Sequence, residues 1–458
     1  YTGATEILAG TLRLTGAATL GLGVYSQPIT NNGTLRFSSS TSQEFNGLIS
    51  GTGSFLKDTN SSSTVVFSDN TTHTYTGGTT VNAGVLELDH DAPNGVSISP
   101  TSAVSIGSGG RLLLSRNDNN ITFPNTVTGT GILDINPHQT EALNTREVAI
   151  TGTNTGFSGI LRLSSTGRSG AETSRLNSWR TVGSTTVANL GSSSIEVKYG
   201  AQLWLTDTPS GIPNNMTLTG FGFYEAAGGS PPVSVVGADG AAITDVPRPN
   251  HINSPNTSGI GALRASASTY SGNITVAGDA KISAYGSTAT FSGTLTATTP
   301  ATDDLVFGGG GLGSTHTITG NASGLGRIWI NGGGSAGTST LNIGNNTSTG
   351  TLGSGDVILY NDAQGATLNI RRSDGFSLGT SQKIIAAHDG ISTNMSKAVV
   401  AINTTGTGFS TNGGDIFLAT TSLGEAPEYD FSSAGNLSVG STVAGAIFNI
   451  TGDSVVRT

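Results

Sequence analysis

Short runs of alternating apolar and polar residues recur along the chain, separated by glycine, asparagine, serine and threonine. The commonest run is an apolar-x-apolar triplet. It appears as Leu12-Arg-Leu14, Leu35-Arg-Phe37, Leu86-Glu-Leu88 and Leu112-Leu-Leu114, then as Leu133-Asp-Ile135, Leu161-Arg-Leu163 and Leu203-Trp-Leu205. Later copies are Leu341-Asn-Ile343, Leu368-Asn-Ile370 and Phe448-Asn-Ile450. The outer two side chains of such a triplet share one face of a strand, and the middle one faces away. Complete neighbouring copies recur at roughly 21 to 28 residues, the period of a solenoid. The step from Leu35 to Leu86 is about two periods, and the weaker strands around Phe55 and Val65 are candidates to fill it. A coil with about three short strands would stack on the next at ~4.8 Å through parallel backbone hydrogen bonds. A sandwich of hairpins would instead place strands about every 8–12 residues with tight loops. The pattern therefore predicts an all-β chain folded as a parallel β-solenoid. In the best copy, Leu86 and Leu88 are expected inside and Glu87 outside.

That best copy is Tyr75 to Leu88, YTGGTTVNAGVLEL. Tyr1 to Leu14, YTGATEILAGTLRL, matches it closely, and Tyr270 to Ile282, YSGNITVAGDAKI, matches it loosely. The unit resembles the passenger-associated transport repeat of bacterial autotransporters and the autotransporter-associated β-strand repeat of large bacterial surface proteins. This resemblance implies a right-handed parallel β-helix, secretion, and a place at the bacterial cell surface. It carries no catalytic residue to transfer.

An aromatic-small-glycine tripeptide recurs at Tyr1, Phe45, Tyr75, Phe157, Tyr270 and Phe291. We expect the aromatic to pack at a coil corner and the glycine to supply a positive φ beside it. A row of exposed aromatics binding sugar rings is the competing reading. The chain reads as one β-solenoid domain over 1–458 with two interruptions. The segment 166–182 holds Arg168, Arg175, Trp179 and Arg180. The segment 228–259 holds Pro231, Pro232, Pro247, Pro249 and Pro255, which disfavour a central strand. Both are expected to be loops leaving the coils, where binding often resides. The repeats at both ends break off in mid-pattern, which suggests a segment of a larger exported protein.

Composition narrows the chemistry. Cysteine is absent, which excludes disulfides, thiolate metal sites and cysteine nucleophiles. The 20 Lys and Arg are scattered and the net charge is −9, so nucleic acid is not an expected partner. No apolar run of ~18 residues is present to cross a membrane as a helix. Glycine runs such as Gly308–Gly313 lack the Lys-Ser/Thr ending of a phosphate loop. Asn-x-Ser/Thr sequences are frequent, for example at Asn32, Asn215, Asn273 and Asn321, and suit turns as well as glycosylation.

Three acidic groups remain as candidates. Asp89-His90-Asp91 follows the best repeat strand and offers a base or a metal ligand. Asp303-Asp304 offers oxygen ligands for calcium. Glu425 lies near Glu428 and Asp430. None has a recognisable site spacing, and the sequence assigns no catalytic, cofactor-binding or metal-binding residue. The first reading is a non-enzymatic structural or adhesive protein, such as a stalk, fibre or surface coat, that associates end to end or continues in a longer chain. Surface glycans are its candidate partners. The second is a carbohydrate-active enzyme or carbohydrate-binding module on the same scaffold, which requires two or more carboxylates with Arg or Lys in one groove. The third is an ice- or mineral-binding face of stacked threonines, suggested by Thr71-Thr72 and Thr79-Thr80.

Overall fold

A computed structural model of the chain describes residues 1–59, 62–68, 72–88, 97–115, 121–136, 146–164, 179–183, 187–198, 200–205, 211–222, 235–237, 241–244, 261–265, 268–284, 286–308, 313–331, 337–360, 365–388, 398–402, 409–410, 415–417, 428–431, 448–449 and 455–457. Its regular structure is nearly all β, with 56% strand and no α-helix among the described residues, and the parallel strands make a β-solenoid of about 11 turns. Two compact units are distinguished. The first is Tyr1–Glu172 with Asn177–Leu203, and the second is Thr173–Leu176 with Trp204–Thr458.

In the first unit each strand pairs in parallel with its counterpart one coil on, and the inward residues form columns. One column runs Tyr25, Phe45, Phe67, Leu88, Leu114, Ile135, Leu163, Val197. Every member is at most 1% exposed. Tyr25, Phe45 and Phe67 meet edge to face, with ring centroids 6.4 and 6.2 Å apart. Leu86 and Leu88 lie inside, and Glu87 is half-buried and accepts a hydrogen bond from Ser115 Oγ at 2.7 Å. A second column runs Leu35, Phe55, Thr79, Val104, Val127.

These columns show that the two closest sequence copies are out of phase. Leu12 pairs with Leu35, whose column leads to Thr79, not to Leu86. Leu86 stacks on Val65 instead. Both Phe55 and Val65 fill the long step, each on a different side of the coil. An apolar-x-apolar strand suits any side of a solenoid, so sequence likeness does not fix the side on which a copy lands.

The second unit repeats the design. Tyr270, Phe291, Ile318, Ile343, Ile370 and Ile402 form one inward column. Leu305, Ile328, Val357, Ile384 and Ile416 form another. All are at most 1% exposed.

The aromatic-glycine tripeptide is partly as expected. Phe45, Tyr75, Phe157, Tyr270 and Phe291 are buried, whereas Tyr1 is 73% exposed. The glycine, however, is not there for a positive φ: Gly47, Gly77, Gly159, Gly272 and Gly293 all lie outside that region. It is there because the neighbouring coil is too close. A Cβ on Gly77 would sit 2.3 Å from the carbonyl oxygen of Gly53, and one on Gly53 would sit 2.2 Å from that of Gly33. In the second unit a Cβ on Gly320 would lie 2.1 Å from Gly293 O, and one on Gly293 would lie 2.1 Å from Gly272 O. Left-handed glycine occurs at a different place, the Ala-Gly corner of the repeat. There Gly10, Gly84 and Gly278 have φ of 74°, 73° and 82°, a region costly for any residue with a Cβ.

The segments 166–182 and 228–259 lie largely outside the described residues. Steps between stacked partners are long where they intervene: 34 residues from Arg162 to Glu196 and 58 from Asn215 to Asn273. The described parts are strands. Trp179–Gly183 pairs with Arg146–Ile150. Val235–Gly237 pairs antiparallel with Ala242–Ile243 and with Lys383–His388. It contains no proline, so its ladder is free of the obstacle that the flanking prolines impose.

Candidate functional site

In the first unit the middle residues of the triplets form outward rows. Asp134, Arg162 and Glu196 follow one another on successive coils. Arg111 Nη2 lies 2.8 Å from Asp134 Oδ2, and Arg162 Nη1 lies 3.7 Å from the same oxygen. Arg162 Nε donates to Glu196 Oε2 at 2.9 Å, and Lys198 Nζ lies 3.2 Å from that oxygen. Burial pushes the Asp134 carboxyl above its usual range, opposed by Arg111, Arg162 and Ser164. Burial also works to raise Glu196, but Arg162 and Lys198 outweigh it and hold the carboxyl low.

This row meets one requirement of a carbohydrate-active site, carboxylates and cations on one face. Asp134 and Glu196 are two coils apart, roughly 10 Å, at the outer limit for an inverting glycosidase. The space between them is filled by the Arg162 guanidinium, which both carboxylates contact. A water or a glycosidic bond would have to displace a charge-assisted hydrogen bond to enter. The arrangement holds coils together. Its signal is present in the sequence, as Asp134 and Arg162 in the middle of two triplets named above and Glu196 in the middle of a further one, Ile195-Glu-Val197.

In the second unit one outward row is apolar beyond its first member, Lys281. Lys281, Val306, Trp329, Ile358 and Ile385 stand on successive strands. Val306, Trp329 and Ile358 form a buried cluster with Phe221, Val235, Tyr360 and Ala387, and Ile243 packs against it. Part of the segment 228–259 thus lies on the outer face of the coils. Beside this cluster Asp304 is 2% exposed. Its Oδ2 accepts from Arg327 Nε at 2.8 Å and from Trp329 Nε1 at 2.8 Å, with Arg327 Nη2 at 2.6 Å. Arg327 Nη1 also donates to Thr244 O at 3.0 Å, tying the segment down.

The expected acidic candidates fare as follows. Asp303 accepts from Thr299 N at 2.7 Å and Thr302 Oγ1 at 3.2 Å, closing a turn. Asp304 is committed to Arg327 and Trp329, so the pair does not converge on a cation. Asp89-His90-Asp91 and Glu425 lie outside the described residues, as does most of the glycine run at Gly308–Gly313. Glu428 and Asp430 fall on the strand Glu428–Phe431. Among the described residues no group of three His, Asp or Glu is placed to hold a metal. Asn32, Asn215, Asn273 and Asn321 each accept a hydrogen bond from a neighbouring turn.

Three buried basic groups are chemically distinctive. Burial lowers His73 and His316 to a pKa of about 3. His73 Nδ1 accepts from Ile49 N at 3.1 Å, and its ring lies 4.3 Å from Phe67. His316 stacks on Phe291. Burial lowers Lys281 to about 8. At 2% exposure, Lys281 is out of reach of a substrate.

A half-open cleft of about 440 Å³ lies in the second unit. Thr351, Ser354, Ser377, Thr380, Gln382 and Arg372 line it, with Leu352 and Phe376 as apolar walls. Arg372 is held by Asp374 through two bonds of 2.8 Å and donates to Gly350 O at 2.9 Å. Its charge is thereby neutralised. The cleft offers hydroxyls and a fixed guanidinium without net charge, which suits an uncharged hydroxylated ligand.

Compared with known proteins, the chain matches no family model, no curated protein and no solved structure.

Proposed function

We propose that the chain is a non-enzymatic extracellular β-solenoid of the bacterial surface, structural or adhesive, serving as stalk, fibre or coat. The observation that carries this reading is the use of outer-face charge. Asp58, Asp134, Glu196 and Asp304 are each engaged by an arginine, so the carboxylates reinforce the stack and are not poised on a substrate. The resemblance of the repeats to passenger-associated transport repeats supports the surface location.

Adhesion is assigned to neutral surface glycans at the Arg372 cleft. A glycan array probed with the labelled chain is expected to show binding that Arg372→Ala weakens about tenfold, a loss of ~1.4 kcal/mol. An array with no positive glycan would overturn the adhesive part. End-to-end association or continuation in a longer chain is part of the same proposal. Sedimentation that is independent of concentration over a wide range would remove self-association.

Asp134 and Glu196 favour the enzymatic reading as the alternative. Polysaccharide turnover that Asp134→Asn abolishes, in a variant of unchanged stability, would make that alternative the better one.

A further inference from the structure

One outward face of the second unit is neither charged nor covered by the Val235–Gly237 strand. It belongs to Thr288–Phe291, Ser314–Ile318, Ser339–Ile343 and Ala366–Ile370, which pair in parallel with unbroken register. Thr288, Thr315, Thr340 and Thr367 fall in one row across these coils. Thr290, Thr317, Asn342 and Asn369 fall in the next. The residues between the rows, Ala289, His316, Leu341 and Leu368, are buried inward. The threonines named earlier do not build this face: Thr79 is buried and bonded to Tyr75, and Thr71 lies outside the described residues.

The geometry is a net of small uncharged groups. Its spacing is ~4.8 Å between coils and ~6.6 Å between rows, two residues along a strand. Threonine is stiff at χ1, so the backbone fixes where each methyl and hydroxyl points. In the second row Asn342 Nδ2 donates to Thr317 Oγ1 at 3.1 Å, and Asn369 Nδ2 to Asn342 Oδ1 at 2.9 Å. In the first row Thr315, Thr340 and Thr367 are half-buried and Thr288 is exposed. Their hydroxyls have no protein partner among the described residues. Water must complete them, and the regular net dictates where that water sits.

We propose that this face binds the surface of ice. A repeating array of threonine methyls and hydroxyls holds water at fixed intervals set by the backbone, so part of the ordering cost of docking on ordered water is met in advance. Mineral surfaces are ionic and would call for charged rows, whereas these eight positions carry no charge. Polysaccharide surfaces are gripped by aromatic rings, and the face has none. The register positions in the next two coils are Val399 and Ala401, then Glu428 and Asp430, so the threonine net ends there. This inference is independent of the glycan cleft and of the structural reading.

The test is partition of the fluorescently labelled full chain into a growing ice shell, together with thermal hysteresis by nanolitre osmometry. The chain is expected to concentrate in the ice and to shape crystals. Thr340→Lys, in the middle of the face, should lower hysteresis at least about tenfold while circular dichroism and thermal unfolding stay unchanged. Thr288→Lys, at an exposed position, should lower it less and serves if Thr340→Lys does not fold. Thr275→Lys, in a different outward row, should leave it unaltered. Exclusion of the wild-type chain from ice would overturn the proposal. So would equal binding by a folded Thr340→Lys, or by a folded Thr288→Lys where that variant stands in for it, as would retention on calcite or crystalline cellulose in place of ice.

Discussion

The two units have interiors built alike and differ in their outward rows. Inside, both stack apolar columns, bury one histidine against phenylalanine, and bring glycine against a carbonyl of the next coil. Outside, the first unit alternates Asp134, Arg162 and Glu196, so that each charge meets its opposite one coil on. The second unit has one row that is apolar and covered, Val306, Trp329 and Ile358, and a sheet face of uncharged, mostly half-buried threonine and asparagine. The difference teaches that the inward column specifies the coil and leaves the outward rows free for other uses. Those rows are where distinct surface chemistry is built.

The largest test of this contrast is Asp304→Ala. It takes the acceptor from the Trp329 indole N–H and the carboxylate from Arg327, and breaking a buried pair should cost about 3–5 kcal/mol. Denaturant unfolding should show it. Acid then tests both interiors. His73 and His316 have a pKa of about 3 when folded against ~6.5 unfolded. Below pH ~6.5 the unfolded chain takes up protons that the folded chain refuses. Stability therefore falls from there down to about 3 and levels off below. At pH 5 the loss is about 2 kcal/mol per histidine. His73→Leu should remove one share of the difference between unfolding curves at pH 7 and pH 5.

A smaller effect separates the two kinds of glycine. Gly293→Ala forces a methyl onto Gly272 O and should cost about 1–3 kcal/mol by overpacking. Gly10→Ala meets open space and should cost only the left-handed strain, about 1 kcal/mol. Equal losses in thermal unfolding would erase the distinction. Smallest of all is Arg36→Ala. Its partner Asp58 is nearly buried, but Arg36 itself is about a third exposed, so the loss should stay within about 1 kcal/mol. A loss as large as that of Asp304→Ala would mean that outer rows of both units carry similar weight.

Much of this was legible in the sequence. Alternation at Leu86-Glu-Leu88 fixes which side chains face inward, and coil spacing gives the solenoid. The side of the coil was not legible, because Leu12 and Leu86 look alike yet belong to different columns. Alternation reports only inside against outside, and all sides of a coil share that rule. The covered face did leave a mark. Leu305-Val-Phe307, Ile328-Trp-Ile330 and Val357-Ile-Leu359 are apolar without alternation, the mark of strands buried on both faces. The threonine net also left one, as T-x-T and T-x-N triplets at coil spacing. The Asp304 ion pair left none, since Arg327 and Asp304 meet only once the coils are stacked.

The glycine column has a consequence for how such a chain assembles. A newly laid coil seats on its predecessor only where a residue without a side chain meets the carbonyl beneath it. Slipping by one residue at Gly320 would press Thr319 or Asn321 against Gly293 O, where even a methyl does not fit. Glycine at this place therefore restricts the phase of the next coil, because a strand shifted by one residue meets the clash at once. In a chain with no cysteine, this steric checkpoint does the phasing that a covalent cross-link would do elsewhere.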